Sequence, residues 1–270
     1  MSTATSVTVD APAVRAPRRT PAPIPMSRLL AVELRKSFDT RSGFWLMSSV
    51  GILALIATAA TIAFAPDSAL DYESFATAIG FPMAVLLPII AALSVTGEWS
   101  QRTGLTSFTL VPHRGRVITA KFIVTLGVGV VSMLLAAVIG AAGNVVGTAI
   151  AGTETVWNVS VTELSYIVLA NVLGMLVGFM FGVLLRNSAA AIVGYFVYGF
   201  ALPPLTMLLA TSQDWFKDAQ PWVDFNYAQG NLFNGSMTGE QWGQLGVTGL
   251  IWLIIPLSIG LWSVLRSEVK

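Results

Sequence analysis

Six long apolar runs, parted by polar breaks, dominate the chain. They extend from Phe44 to Phe64, Phe75 to Val95, Phe122 to Ile150, Leu164 to Leu185, Ala189 to Ala210 and Leu245 to Leu265. Each reaches the length of about 20 residues that an α-helix needs to cross the hydrocarbon core of a bilayer. The pattern therefore predicts an all-α integral membrane protein with six transmembrane helices. The third run is long enough to tilt or break. Only Arg186, Asn187 and Ser188 separate the fourth and fifth, which predicts a tight antiparallel hairpin, whereas the breaks after the second and fifth runs are long and polar.

The stretch ahead of the first run, Met26 to Arg41, is too polar to span. Its apolar residues Met26, Leu30, Leu34 and Phe38 recur every four residues, with Arg28, Arg35, Lys36 and Asp39 on the opposite face. Ser27 is placed to cap it after Pro25. A basic amphipathic helix joined directly to a span belongs at the membrane interface, and Trp45 supplies an aromatic anchor at headgroup level. Residues 1–25, rich in Ala, Pro, Thr and Arg and lacking the apolar core of a signal peptide, read as a disordered cytoplasmic tail. The expected organisation is a tail (1–25), an interfacial helix (26–42) and a six-helix membrane domain (43–270), with polar loops at 97–121 and 211–244.

Composition agrees with the pattern: 54% of residues are hydrophobic and 11% charged, and the mean hydropathy is +0.73, against about 25% charged residues in soluble domains. Charge placement adds orientation. With the N terminus inside, every one of the 15 Lys and Arg residues except Lys217 falls on the cytoplasmic side, so both termini are expected in the cytoplasm and the protein in the cell membrane. The net charge of +1 gives no reason to expect nucleic acid, and the absence of cysteine excludes disulfides and thiolate metal sites.

Candidate chemistry is sparse. There is no carboxylate pair, no His-Glu-x-x-His, and a single histidine, His113, in a polar loop. No ionisable residue lies deep in a run, which argues against a proton relay, an ion-coupled carrier or an intramembrane enzyme; no catalytic or metal-binding residue is expected. Asn144 and Asn171 are the mid-span polar groups, and polar groups at depth need partners. Together with Tyr195 and Tyr198 they are the residues expected along a substrate pathway. Ala170, Gly174, Gly178 and Gly182 form a small-residue ridge suited to close helix packing; Gly140, Gly143 and Gly147 do the same on the third run. Pro82 and Pro88 are placed to kink the second run, and Pro203 and Pro204 to break the fifth. The loop that follows is dense in aromatics, among them Trp215, Trp222, Phe225, Tyr227 and Trp242, which predicts short re-entrant or interfacial helices on the outer side.

The loop from Gly97 to Lys121 is basic and polar, yet it carries an apolar stripe of Leu105, Phe108 and Leu110 before Pro112 stops any helix. A solvated linker has no use for that stripe, whereas Arg114, Arg116 and Lys121 are the cationic collar expected at a cytoplasmic entry. Glu98 soon after the second span, Thr103-Gly104, the short apolar stripe, Pro112, Arg114 and Lys121 together resemble the ABC-2 type permeases, the membrane halves of ATP-binding cassette exporters. So do the Glu-Leu-Arg-Lys of Glu33 to Lys36 ahead of the first span and the six-span layout. The resemblance implies that a coupling helix in this loop docks on a separate ATPase subunit and that the interfacial helix lies against the same subunit. The implied contact residues are Glu98, Arg102, Thr103, Leu105, Phe108, Leu110, Glu33 and Arg35. It also implies pairing with a second, identical permease chain within the membrane lipids. The sequence holds no Gly-x4-Gly-Lys-Ser/Thr phosphate loop, so ATP and Mg would be bound by the partner. The contrasting expectation is a membrane scaffold or assembly factor that holds a cytoplasmic partner without transport.

Overall fold

A computed structural model describes residues 24–100 and 114–266. The chain is helical, with no strand among the described residues. Helix α1 (Met26–Asp39) precedes α2 (Arg41–Phe64), α3 (Tyr72–Ser100), α4 (Arg114–Ala151) and α5 (Val161–Leu185). After a two-residue turn come α6 (Ser188–Phe196), a π-helical turn (Val197–Ala201) and α7 (Leu202–Ser212). Helices α8 (Asp214–Val223) and α9 (Phe225–Gly230) and a 3₁₀ turn (Asn231–Asn234) follow. Helix α10 (Gly239–Gly249), a second π-helical turn (Leu250–Ile254) and α11 (Ile255–Arg266) complete the fold. Six of the resulting helical runs are long and apolar enough to cross a membrane.

The third run does not break. Helix α4 is continuous over 38 residues, about 57 Å at 1.5 Å per residue, so it exceeds a hydrocarbon core of about 30 Å and its ends reach beyond it. Pro82 and Pro88 lie inside α3 without ending it. The hairpin between α5 and α6 turns on Arg186, whose backbone is left-handed (φ 52°), and on Asn187, whose side chain accepts the amide of Ala190.

Helix α5 is the axis of the bundle, packed most extensively on α3. The close approach is made by glycine: a Cβ on Gly178 would collide with the Pro88 carbonyl, and one on Gly182 would lie 3.0 Å from the Ala92 carbonyl oxygen. The lower half of the small-residue ridge is thus spent on helix packing. On α4, Gly143 and Gly147 make room for the fully buried Phe75 ring. A core of Ile79, Met83, Leu87, Met175, Phe179 and Val183 fills the space between α3, α4 and α5. Outward side chains such as Phe64, Val138 and Leu205 are exposed, as lipid-facing residues are.

Successive spans alternate in direction, so α1, the α5–α6 turn and the end of α11 share one end of the bundle. Hydrogen bonds fix that end: the Thr96 and Ser188 hydroxyls meet at 2.8 Å, and Arg186 Nη2 donates to Ser263 Oγ at 2.9 Å. Every described Lys and Arg except Lys217 lies there, whereas Asp67, Asp71, Glu73, Glu154 and Glu163 lie at the other end. At that acidic end Asn158 joins two loops, accepting from the Glu73 amide and donating to Asp71.

Candidate functional site

At the basic end, α1 is clasped to the foot of α4. Leu29 packs with Val117 and Ala120, and the Arg116 guanidinium donates to the Ile24 carbonyl at 2.7 Å. At the centre of the contact, Lys121 Nζ lies 2.6 Å from one oxygen of Glu33, and Lys36 Nζ lies 2.8 Å from the other. Lys121 also donates to the Ser94 carbonyl of α3. Lys121 is 5% exposed and Glu33 8%, so this pair is shielded from screening and joins three elements at a single point. Lys121 is therefore a buried structural cation rather than part of a solvated collar. The stripe on α1 divides accordingly. Met26 and Leu30 turn to α4, while Leu34 and Phe38 remain exposed.

Toward the acidic end the prolines shape a second site. Pro88 has no N–H to give the Ala84 carbonyl, and the Tyr195 hydroxyl donates to that oxygen instead, at 2.6 Å. In the first π-helical turn the Leu202 amide bonds to the Val197 carbonyl, and Pro203 has no amide for the Tyr198 carbonyl. The Asn226 side chain fills that gap, donating to Tyr198 O at 3.2 Å. The second π-helical turn repeats the device ahead of Pro256, with the Ile255 amide bonded to the Leu250 carbonyl. In both places the widened turn relieves the clash between a proline ring and the preceding turn, so Pro203 and Pro204 loosen the fifth run without breaking it.

These loosened turns receive α8 and α9, which fold back onto the bundle. Phe225, Ala228 and Leu232 are buried against Ala170, Val177, Leu245 and Leu253. Gln229 Nε2 donates to the Ala170 carbonyl at 2.8 Å, and the Trp252 indole donates to the Val223 carbonyl at 2.6 Å. Between this roof and helices α3, α5 and α6 lies a cavity of about 490 Å³, within the range of small-molecule sites. Tyr195, Tyr198, Tyr227, Phe81 and Phe200 contribute its aromatic surface; Asn171, Gln220, Asp224, Asn226 and Gln229 contribute its polar groups. The upper half of the small-residue ridge, Ala170 and Gly174, forms part of its wall.

Of the residues expected along a substrate pathway, the cavity brings together Asn171, Tyr195 and Tyr198. Asn144 is elsewhere: its side chain donates to the Val156 carbonyl at 2.8 Å and ties a loop at the acidic end to α4. Of the residues expected to meet a partner subunit, Arg35 is exposed and Glu33 is turned inward to Lys121. Arg102, Thr103, Leu105, Phe108 and Leu110 lie outside the described residues, and Glu98 is described only as part of the α3 backbone. Sequence reasoning did not single out Gln220, Asp224, Asn226 and Gln229. Asp224 had a legible signal, an N-cap residue three positions before Tyr227, whose amide it accepts; nothing local reveals that the helix it caps is buried.

The fold and the cavity define a multi-pass helical membrane protein with a ligand-sized space among its spans. Residues 29–202, more than half of the chain, match the family described as ABC-2 family transporter protein, and the chain belongs to that family. It is a transport permease, a transmembrane subunit that is not itself the catalytic one. A comparison with curated proteins finds no match.

Proposed function

We propose that this permease is the membrane half of an ATP-driven exporter. Two identical chains form the pathway, and separate ABC subunits bind ATP and Mg and hydrolyse the nucleotide. The basic end, with both termini, faces the cytoplasm of a cell membrane, an orientation supported by the distribution of Lys and Arg. Coupling runs through the segment 97–121, where Leu105, Phe108 and Leu110 seat in the ATPase, with Glu98, Arg102 and Thr103 beside them.

The observation that carries this reading is the buried Glu33–Lys121 pair. It ties the interfacial helix to the first turns of α4, at the end of the segment 97–121, and Lys121 extends the link to α3 through Ser94. A push delivered to α1 or to that segment thus reaches two spans as one body, because a packed, ion-paired contact shifts as a unit rather than bending. Glu33 contributes by fixing α1, which leaves the exposed Arg35 to face the partner. The cavity toward the acidic end supplies the space from which substrate leaves. A non-transporting scaffold has no use for such a cavity. In membranes containing the permease and its ATPase, Phe108→Asp or Leu110→Asp should uncouple ATP hydrolysis from transport while insertion stays intact; unchanged coupling would contradict the proposal.

A further inference from the structure

The geometry points to a lipophilic ammonium compound as the ligand of the cavity beneath α8 and α9: an apolar body bearing a protonated, hydrogen-bond-donating nitrogen. As the substrate class of the exporter this rests on the permease reading above; as a binding site it stands on the cavity alone.

Part of the donor capacity of the cavity's lining is already engaged. Each of its four carboxamide NH₂ groups is engaged on a protein oxygen: Asn171 on Ile167, Asn226 on Tyr198, Gln229 on Ala170 and Gln220 on Asp224. The Tyr195 hydroxyl gives its proton to Ala84. Two polar atoms in the wall are buried without a partner, Asn171 Oδ1 and the Tyr198 hydroxyl, although Asn171 is only 4% exposed and Tyr198 6%. The bond from Asn171 Nδ2 to the Ile167 carbonyl fixes which end of that amide is the acceptor. The Asn171 oxygen can only accept, and leaving it without a donor costs free energy that a ligand N–H reaching it recovers; the Tyr198 hydroxyl can serve as donor or acceptor.

Charge points the same way. Asp224 is 5% exposed and lines the cavity; it accepts from Gln220 and from the Tyr227 amide, and no described Lys or Arg forms an ion pair with it. Among the described residues no Lys or Arg lines the space, so an anion would find no counter-charge among them. Tyr195, Tyr198, Tyr227 and Phe200 line the space and supply apolar area for the ligand's body, and aromatic rings are the apolar groups that a cation tolerates best.

The test uses the full chain in phosphatidylcholine nanodiscs, without any ATPase. Calorimetric titrations, corrected with empty discs, compare three probes that share one apolar body: 4-phenylbutylammonium, 4-phenylbutanol and 4-phenylbutyrate. The ammonium should saturate one site per chain at least tenfold more tightly than the alcohol, and the carboxylate should not bind. Asp224→Asn, which keeps the N-cap of α9, and Asn171→Leu should each weaken ammonium binding at least tenfold with helix content unchanged. Equal binding of the three probes, tightest binding of the carboxylate, or full ammonium affinity in Asp224→Asn would overturn the assignment. Repeating the titration in discs containing phosphatidylethanolamine separates two sources of the same chemistry. Competition there identifies the lipid's own ammonium group as occupant, and its absence a soluble amphiphile. Selective ammonium binding by a chain that couples to no ATPase would keep the site and remove the exporter. A coupled ATPase with no probe selectivity would do the reverse.

Discussion

Single side chains here mend what prolines leave open. Tyr195 supplies the donor that Pro88 denies to Ala84, and Asn226 supplies the one that Pro203 denies to Tyr198. Replacing Tyr195 with Phe keeps the ring but orphans a buried carbonyl, a loss of about 1–3 kcal/mol. Thermal unfolding of the detergent-solubilised protein should therefore show a lower midpoint, and an unchanged midpoint would mean that water already satisfies Ala84. The Glu33–Lys121 pair is a sharper case. Breaking a buried pair from one side costs about 3–5 kcal/mol, whereas replacing both partners by apolar residues is often neutral. Glu33→Leu or Lys121→Met alone should destabilise strongly, and the double variant should recover most of that loss; simple additivity of the two would show that the groups act separately. The pattern of residues revealed Glu33 as part of a charged motif and Lys121 as a basic entry residue. That they meet was not legible, because 88 positions separate them and each has an ordinary solvated reading on its own.

Among the elements, the small-residue ridge of α5 separates into a packing half and an open half. Gly178 and Gly182 touch the backbone of α3, whereas Gly174 faces only the Gln229 side chain, 3.4 Å from where a Cβ would stand. Gly178→Ala should lower the yield of folded protein and its melting temperature, while Gly174→Ala should fold normally; equal effects at both positions would contradict this division. The ridge was visible as a four-residue repeat of small side chains, and the close helix packing expected of it holds for the half near Pro88. Its other half lines a cavity that exists only because α8 and α9 fold back, held by Asn226 on Tyr198 and by Gln229 on Ala170. Aromatic density announced that those helices would not be a free loop. The polar groups that pin them carry no periodic signal, since one long-range hydrogen bond leaves no mark on hydropathy. The π-helical turns, by contrast, each end two residues before a proline, at Pro203 and Pro256, a signal open to anyone asking where the displaced carbonyls go.

At the scale of the whole molecule, six spans followed from hydropathy, because a bilayer admits few alternatives to an apolar helix of sufficient length, while the third and sixth spanning helices begin several residues before their apolar runs, at Arg114 and Gly239. Membership of the ABC-2 family followed from loose motifs taken together with that layout, and the matched residues 29–202 include most of α1, the first four spans and the first part of the fifth. The molecule is then a bundle with a rigid clasp at its basic end and an acceptor-lined cavity toward its acidic end, joined through α3 and α5. The exporter reading requires a second protein, since this sequence has no phosphate loop of its own. Its most direct test is affinity purification of the full chain from its native membrane in mild detergent, followed by mass spectrometry of the proteins retained with the wild type and with Phe108→Asp. An ATPase bearing a phosphate loop should be retained in near-equal amount with the wild type and lost with the variant, both permeases remaining in the membrane fraction. Recovery of the wild-type chain without such an ATPase, or equal retention by Phe108→Asp, would contradict it.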